Sequence, residues 1–405
     1  MPNLIGRKIK NGYLLTRGIS TFLTLAFSLF YSKYLGIEKR SLITLMLVVI
    51  VIVMVILTSG VGLAFRKHIS SNSEFFSLSA YLYLNAILGL LVSICSTGIL
   101  VLYSNARVSI PDTLLYLAAI YAFLGALDFT LHQGLIAYGM FKIASILDLL
   151  TVAIQISVFF LLTLSNQVSI AASLFTALII SYITSVVSSV LTLTVHTNAS
   201  IVPNWKDIRF LFKASTPFHI VGVAAGFADR IDRIVIAWFL PLSVLGKFAV
   251  GTSVLTFLRF IPESFSKLIV SGQSKFNLGK LRLIGKSWLS RLFFALLVSY
   301  FFALFSQGLI WLVLGEEWLM SFIVVFSFAF QELMRGYFQL RVSELIAKGK
   351  EKIVTRLSVF LIVASLVLSV MGVNLAGLVG IPLGIALAYL TLILFSYKHK
   401  VGGIR

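Results

Sequence analysis

A chain of 405 residues with 59% hydrophobic and 12% charged residues departs from soluble domains, where those shares are about 45–50% and about 25%. No single globular core hides that much apolar surface, so a sizeable soluble domain is excluded. The excess of 33 Lys and Arg over 14 Asp and Glu, a formal charge of +19, would suggest nucleic acid in a soluble chain. In an inserted chain it follows from the retention of Lys and Arg in cytoplasmic loops, and no nucleic-acid partner is expected.

From the N-terminus, a basic start (Arg7, Lys8, Lys10) leads into an apolar run of more than about 20 residues without a small-residue cleavage site, which reads as a retained first helix. Apolar runs then place membrane crossings near 12–34, 41–65, 80–103, 113–135, 143–164 and 169–194. The single Cys95 lies within the third run, which leaves no intrachain disulfide and argues against thiol chemistry or a cysteine metal site. A polar stretch follows, and further runs lie near 215–239, 243–268, 288–314, 319–341, 357–374 and 377–397. A spanning barrel would show segments of about 10 alternating residues. Leu42 to Leu57 is instead apolar on every side. The expectation is an all-α polytopic membrane protein of about twelve crossings, each of about 20 residues. The polar stretch near the midpoint divides it into a six-helix lobe over 1–195, a cytoplasmic linker over 196–213 and a second six-helix lobe over 214–405. An even number of crossings per half makes the repeats parallel.

Alternate loops separate by charge. One set carries Arg7, Lys8, Lys10, Arg66, Lys67, Lys142, Lys206, Arg209, Lys213, Lys275, Lys280, Arg282, Lys286, Lys348, Lys350, Lys352, Arg356, Lys398, Lys400 and Arg405; the other carries mainly Lys39, Arg40 and Arg107. The enriched set marks the cytoplasmic side, so both termini are expected there.

Charges inside the crossings are the best functional markers, since each costs at least about 2.5–3.5 kcal/mol near mid-bilayer unless it faces a protein interior or an aqueous cavity. The seventh run, Phe218 to Phe239, carries Asp229, Arg230, Asp232 and Arg233 near its centre. As one continuous helix it would align His219, Gly222, Gly226, Asp229 and Arg233 on one stripe. Two readings stand side by side: a ligand-facing stripe, or a self-neutralising Asp229–Arg233 pair at i,i+4. The tenth run places Glu332, Arg335 and Gln339 on one face, beside Gln331. Arg259 and Glu263, near the cytoplasmic end of the eighth, read as a snorkelling structural pair. Lys247 and Arg17 lie about a turn from the ends of their helices, and Arg17 still points into the apolar run. Asp128 and His132, one turn apart in the fourth crossing, with Asp148 in the fifth, are the ion-coupling candidates, because a carboxylate beside an imidazole takes up and releases protons near neutral pH. A purely structural hydrogen-bonded pair is the alternative there. No metal-ligand spacing, phosphate-cradling loop or nucleophile elbow occurs, so neither cofactor nor enzyme chemistry is expected.

Ala228 to Phe248 resembles a pattern of bacterial polysaccharide-unit flippases: Asp and Arg at a helix centre, a short turn, then Leu245, Gly246 and an aromatic. Arg17, then Tyr34, Leu35 and Gly36, then Gly60 to Ala64 before Arg66 and Lys67 are similar to that family's opening helices. The family is the Wzx type, in the multidrug/oligosaccharidyl-lipid/polysaccharide exporter superfamily. The resemblance implies a MATE-like pair of lobes working by alternating access. The implied substrate is an undecaprenyl-diphosphate-linked oligosaccharide, an O-antigen or related lipopolysaccharide repeat unit, moved from the cytoplasmic to the periplasmic leaflet of the bacterial inner membrane. It further implies contact with membrane lipids, a coupling ion (proton or sodium) and transient contact with polysaccharide polymerase machinery. Arg makes charge-assisted, often bidentate bonds to phosphate oxygens. Arg17, Arg230, Arg233 and Arg335 are accordingly the candidate cations, with Asp229, Asp232 and Glu332 orienting them. Lipid II flippases usually carry extra C-terminal helices, whereas this chain ends at Arg405 after the twelfth run. A MATE-type drug or small-solute exporter is the alternative. A polysaccharide polymerase fits less well, because such enzymes commonly carry a large periplasmic loop.

Overall fold

A computed structural model of the protein describes residues 2–70, 77–165, 168–197, 205–270 and 288–398. Among them there is no β-strand. The helices are α1 (Pro2–Ser70), α2 (Leu78–Ala106), α3 (Asp112–Ala137), α4 (Phe141–Leu164), α5 (Ile170–Thr197), α6 (Trp205–Ala228), α7 (Ile231–Phe239), α8 (Leu242–Leu255), α9 (Phe257–Val270), α10 (Trp288–Leu314), α11 (Phe322–Ala347), α12 (Glu351–Ala376) and α13 (Gly380–Lys398). The cause is the solvent: hydrocarbon offers no partner to a backbone N–H or C=O, so an apolar run satisfies its own groups by coiling.

Among the described residues seven stretches are long and apolar enough to cross a membrane, or nine if each of two bent helix pairs counts as one crossing. Leu15–Arg66 is an apolar stretch of 52 residues, which at 1.5 Å per residue reaches ~78 Å, more than twice the ~30 Å of hydrocarbon. It breaks at Gly36, where φ is 71° and ψ 170°, a left-handed backbone suited to glycine. Lys352–Ser396 likewise breaks at Gly377, φ 59°. Together with the other long apolar helices they make the protein an all-helical, multi-pass membrane protein.

Two crossings are discontinuous, where the sequence suggested single helices. The seventh consists of the second part of α6 and of α7, interrupted at Asp229 and Arg230; Arg230 has φ −131° and ψ 0°. The eighth is α8 and α9, bent by 41° near Thr256. Of the stretch 196–213, residues 205–213 are helical, and 198–204 lie outside the described residues, as do Lys275, Lys280, Arg282, Lys286, Lys400 and Arg405.

The chain forms two compact units, Met1–Phe27 with Ile43–Gly226, and Ser28–Leu42 with Phe227–Arg405. In the first, α3 packs against α2, α4 and α5. Glycines let α6 lie close on the second arm of α1: a Cβ on Gly222 would meet Ser59 at 2.5 Å, and one on Gly226 would run into Val55. His219 faces Gly60 in the same seam. These three residues, expected on a ligand-facing stripe with Asp229 and Arg233, are therefore used for helix packing, and the break at 229–230 ends the stripe. In the second unit α11 is central, touching α8, α9, α10, α12 and α13. The α12–α13 hairpin closes with backbone against backbone, Gly372 on Gly380 and Gly384 on the Leu368 carbonyl, as small residues permit within membranes. Outward faces carry exposed Leu102, Leu312 and Leu375, which suits lipid.

Gly384→Leu forces the hairpin apart. The expected cost is about 1–3 kcal/mol, read as a lower midpoint of thermal unfolding in detergent. Gly308→Leu, with nothing within 4 Å of its Cβ position, leaves the midpoint unchanged.

Candidate functional site: a buried charge network

Breaking a helix inside a membrane leaves carbonyls without partners, and the second unit satisfies them with guanidinium groups. Arg335 Nη2 donates to the Ala228 carbonyl at 3.1 Å, and Arg233 Nη1 donates to the Asp229 carbonyl at 3.1 Å. Arg335 uses its remaining nitrogens as fully. Nη1 bonds Glu332 Oε1 at 2.8 Å, while Nε lies 3.3 Å from both the Tyr389 hydroxyl and Asp229 Oδ1. Glu332 and Arg335 are neighbours because i and i+3 share a helix face. That face of α11 is turned inward, leaving the two side chains 2% and 3% exposed.

Arg259 of α9 closes the network, with Nη1 3.3 Å from Asp229 Oδ1 and Nε 3.3 Å from Glu332 Oε2. The sequence assigned Arg259 to a snorkelling pair; its side chain instead turns inward to two carboxylates. Asp229 was weighed as the i,i+4 partner of Arg233. Its carboxylate pairs instead with Arg259, Arg335 and, at 3.9 Å, Arg230, while Arg233 Nη2 reaches Thr252 Oγ1 at 3.3 Å. Asp232, fully buried in the first turn of α7, accepts from the Arg233 N–H at 2.7 Å and from Gln331 Nε2 at 3.4 Å. The structure thus brings Asp229, Arg230, Asp232, Arg233, Glu332 and Arg335 together and adds Arg259 and Tyr389. Four guanidinium groups face Asp229, Asp232 and Glu332, and the Glu263 carboxylate also acts on Arg259, so positive and negative charge balance when all are ionised. Its exposure is graded. Glu332 and Arg335 are sealed, whereas Asp229 and Arg230, at the break, remain 26% and 24% exposed. Arg17, the other candidate cation, is half-buried on the first arm of α1, in the first unit.

The ion-coupling candidates lie in the first unit and pair across helices. His132 Nδ1 lies 3.6 Å from Asp148 Oδ1, joining α3 to α4. Asp128, the expected partner of His132, accepts a short hydrogen bond from the Ser185 hydroxyl of α5, beside the stacked rings of Tyr121 and Tyr182. Residues one turn apart on α3 thus find partners on two different helices. Among the described residues no group of three or more His, Cys, Asp or Glu is arranged to hold a metal.

Removing one member of a buried ion pair strands the other and costs about 3–5 kcal/mol. Arg259→Ala, which strips both Asp229 and Glu332, is expected to lower the thermal midpoint far more than Arg230→Ala, whose pairing distance to Asp229 is 3.9 Å. The two variants unfolded side by side in the same detergent make the comparison.

No protein-family model and no curated protein matches the sequence. Solved structures match along nearly its whole length. VcmN, a MATE transporter of Vibrio cholerae, aligns with TM-score 0.69 and 14% identity over 97% of each chain. A multidrug resistance MATE-family transporter of the MOP superfamily, in an outward-facing conformation, aligns with TM-score 0.68 and 13% identity over 97% of this chain and 94% of that one. The lipid II flippase MurJ, in an inward closed conformation, aligns with TM-score 0.73 and 15% identity over 95% of this chain and 87% of that one. At such identities the likeness is one of fold, and the fold is the MATE-like one common to these transporters.

Proposed function

We propose that the protein is a flippase for an undecaprenyl-diphosphate-linked oligosaccharide, moving a polysaccharide repeat unit from the cytoplasmic to the periplasmic leaflet of a bacterial inner membrane, with both of its termini cytoplasmic. The observation that carries this reading is the graded network at the broken seventh crossing. Arg335 and Arg259, tied to Glu332 and Asp229, hold the break open. Arg230 and Arg233, beside it, are the groups that take diphosphate oxygens. A cluster whose charges nearly balance suits a dianionic head that must be gripped and then released, because a large excess of positive charge would hold it too tightly. Arg17 is a separate candidate cation of the first unit. The protein acts as a transporter and performs no covalent step.

Proton coupling belongs to this reading. Asp128 with Ser185, and His132 with Asp148, are partly buried groups that change charge by taking up one proton. A sodium ion would need a cage of several oxygens. Alternating access between the two sides of the membrane is the working cycle of this reading.

Deleting the gene is expected to abolish surface polysaccharide. The intact gene restores it, and an Arg230→Ala/Arg233→Ala form present at equal abundance in the membrane does not. Unchanged polysaccharide with altered drug efflux would instead make the protein a MATE-type exporter. In proteoliposomes with an imposed pH gradient, Asp128→Asn is expected to reduce transport to its level without a gradient. A sodium gradient that drives the intact protein in the absence of a pH gradient would refute proton coupling.

A further inference from the structure

The seventh crossing does not need the first half of α6. Residues 218–239 already span ~33 Å at 1.5 Å per residue, enough for the hydrocarbon. Trp205–Thr216 is surplus to the crossing and is bent 55° away from Phe218–Ala228. The bend falls at Pro217, which has no N–H to continue the ladder. The surplus helix has a clear division of faces. Ile208, Leu211 and Ser215 are buried and lie within about 60° of one another around the axis. The opposite face carries Lys206, Arg209 and Lys213, all exposed. Aromatic side chains flank this basic stripe, with Trp205 71% and Phe212 58% exposed on one side and exposed Phe210 on the other. Against these three cations stands the single, half-buried Asp207.

A water-facing helix would have no use for those rings, and a lipid-spanning one could not bear those charges. We infer that residues 205–216 form an interfacial helix that docks on the anionic headgroups of the cytoplasmic leaflet, its rings at the headgroup boundary and its cations on lipid phosphates. Trp is favoured at that depth because its ring is amphipathic. Each Lys or Arg near an anionic surface multiplies partitioning by about five, so three together give roughly a hundredfold, screened by salt. The occupant is the lipid surface itself, and the inference stands whatever the protein transports.

The test uses the full chain with Cys95→Ser and Phe210→Cys, carrying a nitroxide at 210, in nanodiscs of phosphatidylcholine alone or mixed with phosphatidylglycerol. In the anionic discs the label is expected to gain oxygen accessibility and lose accessibility to a water-soluble nickel chelate, reporting immersion. In neutral discs it stays in water. Lys206→Gln/Arg209→Gln/Lys213→Gln removes the difference, since all three side chains are exposed. Equal label depth in both discs overturns the inference, as does a triple variant that still distinguishes them. Inorganic phosphate that shifts the label in neutral discs would make the stripe a site for free anions and overturns it too.

Discussion

Charge inside hydrocarbon must be paired, and the second unit is organised around that requirement. Asp229, Glu332, Arg259 and Arg335 satisfy one another across the broken seventh crossing, α9 and α11, with Tyr389 of α13 as a further partner. The break and the network depend on each other. Without the two arginine contacts to its carbonyls the interrupted helix would leave bare acceptors in a medium with no water to serve them. Without the break, Asp229 and Arg230 would be carried on a regular helix and would lose their place beside α9 and α11. Such a network is weak evidence for net stability, because desolvating the ions offsets much of their attraction. Its contribution is position: rigid guanidinium forks fixed from several sides.

The two units divide the chemistry. The second concentrates guanidinium groups at a helix break. The first has carboxylates and an imidazole joined across α3, α4 and α5. In the proposed function the guanidinium groups of the second unit would take the anionic head and the carboxylates and imidazole of the first would take the proton.

Much of this was legible in the sequence, because the constraints behind it are one-dimensional. Apolar runs mark the membrane-crossing helices, and charges within runs stand out by their cost, so the polar residues of the seventh and tenth runs are identifiable. Partners are not. Asp128 and His132 sit one turn apart, yet each turns to a different neighbouring helix. Asp229 and Arg233 have the spacing of a pair, but Arg233 takes the backbone carbonyl while the carboxylate goes to α9 and α11. Arg259 looked like a snorkelling end residue because hydropathy records depth along a helix and is blind to which side faces α11. The interruption at 229–230 has no proline or glycine to announce it; tertiary hydrogen bonds create it. The glycines at 222 and 226 were visible as a small-residue stripe, and only the seam with α1 shows that the stripe serves close packing.

The excursion of residues 28–42 has a further consequence. These residues belong to the second unit although the rest of α1 belongs to the first. There Arg40 bonds Tyr31 and reaches Ser28, Ser28 meets Ser253 of α8 at 3.0 Å, and Gly246 leaves room for Ser41. A chain severed at its midpoint connector would give a C-terminal fragment lacking an interior piece, with α8 bare where the tip of the α1 hairpin belongs. The halves of this protein are therefore not modules in the genetic sense. Exchanging one half with a relative would transplant an incomplete unit unless residues 28–42 travelled with it.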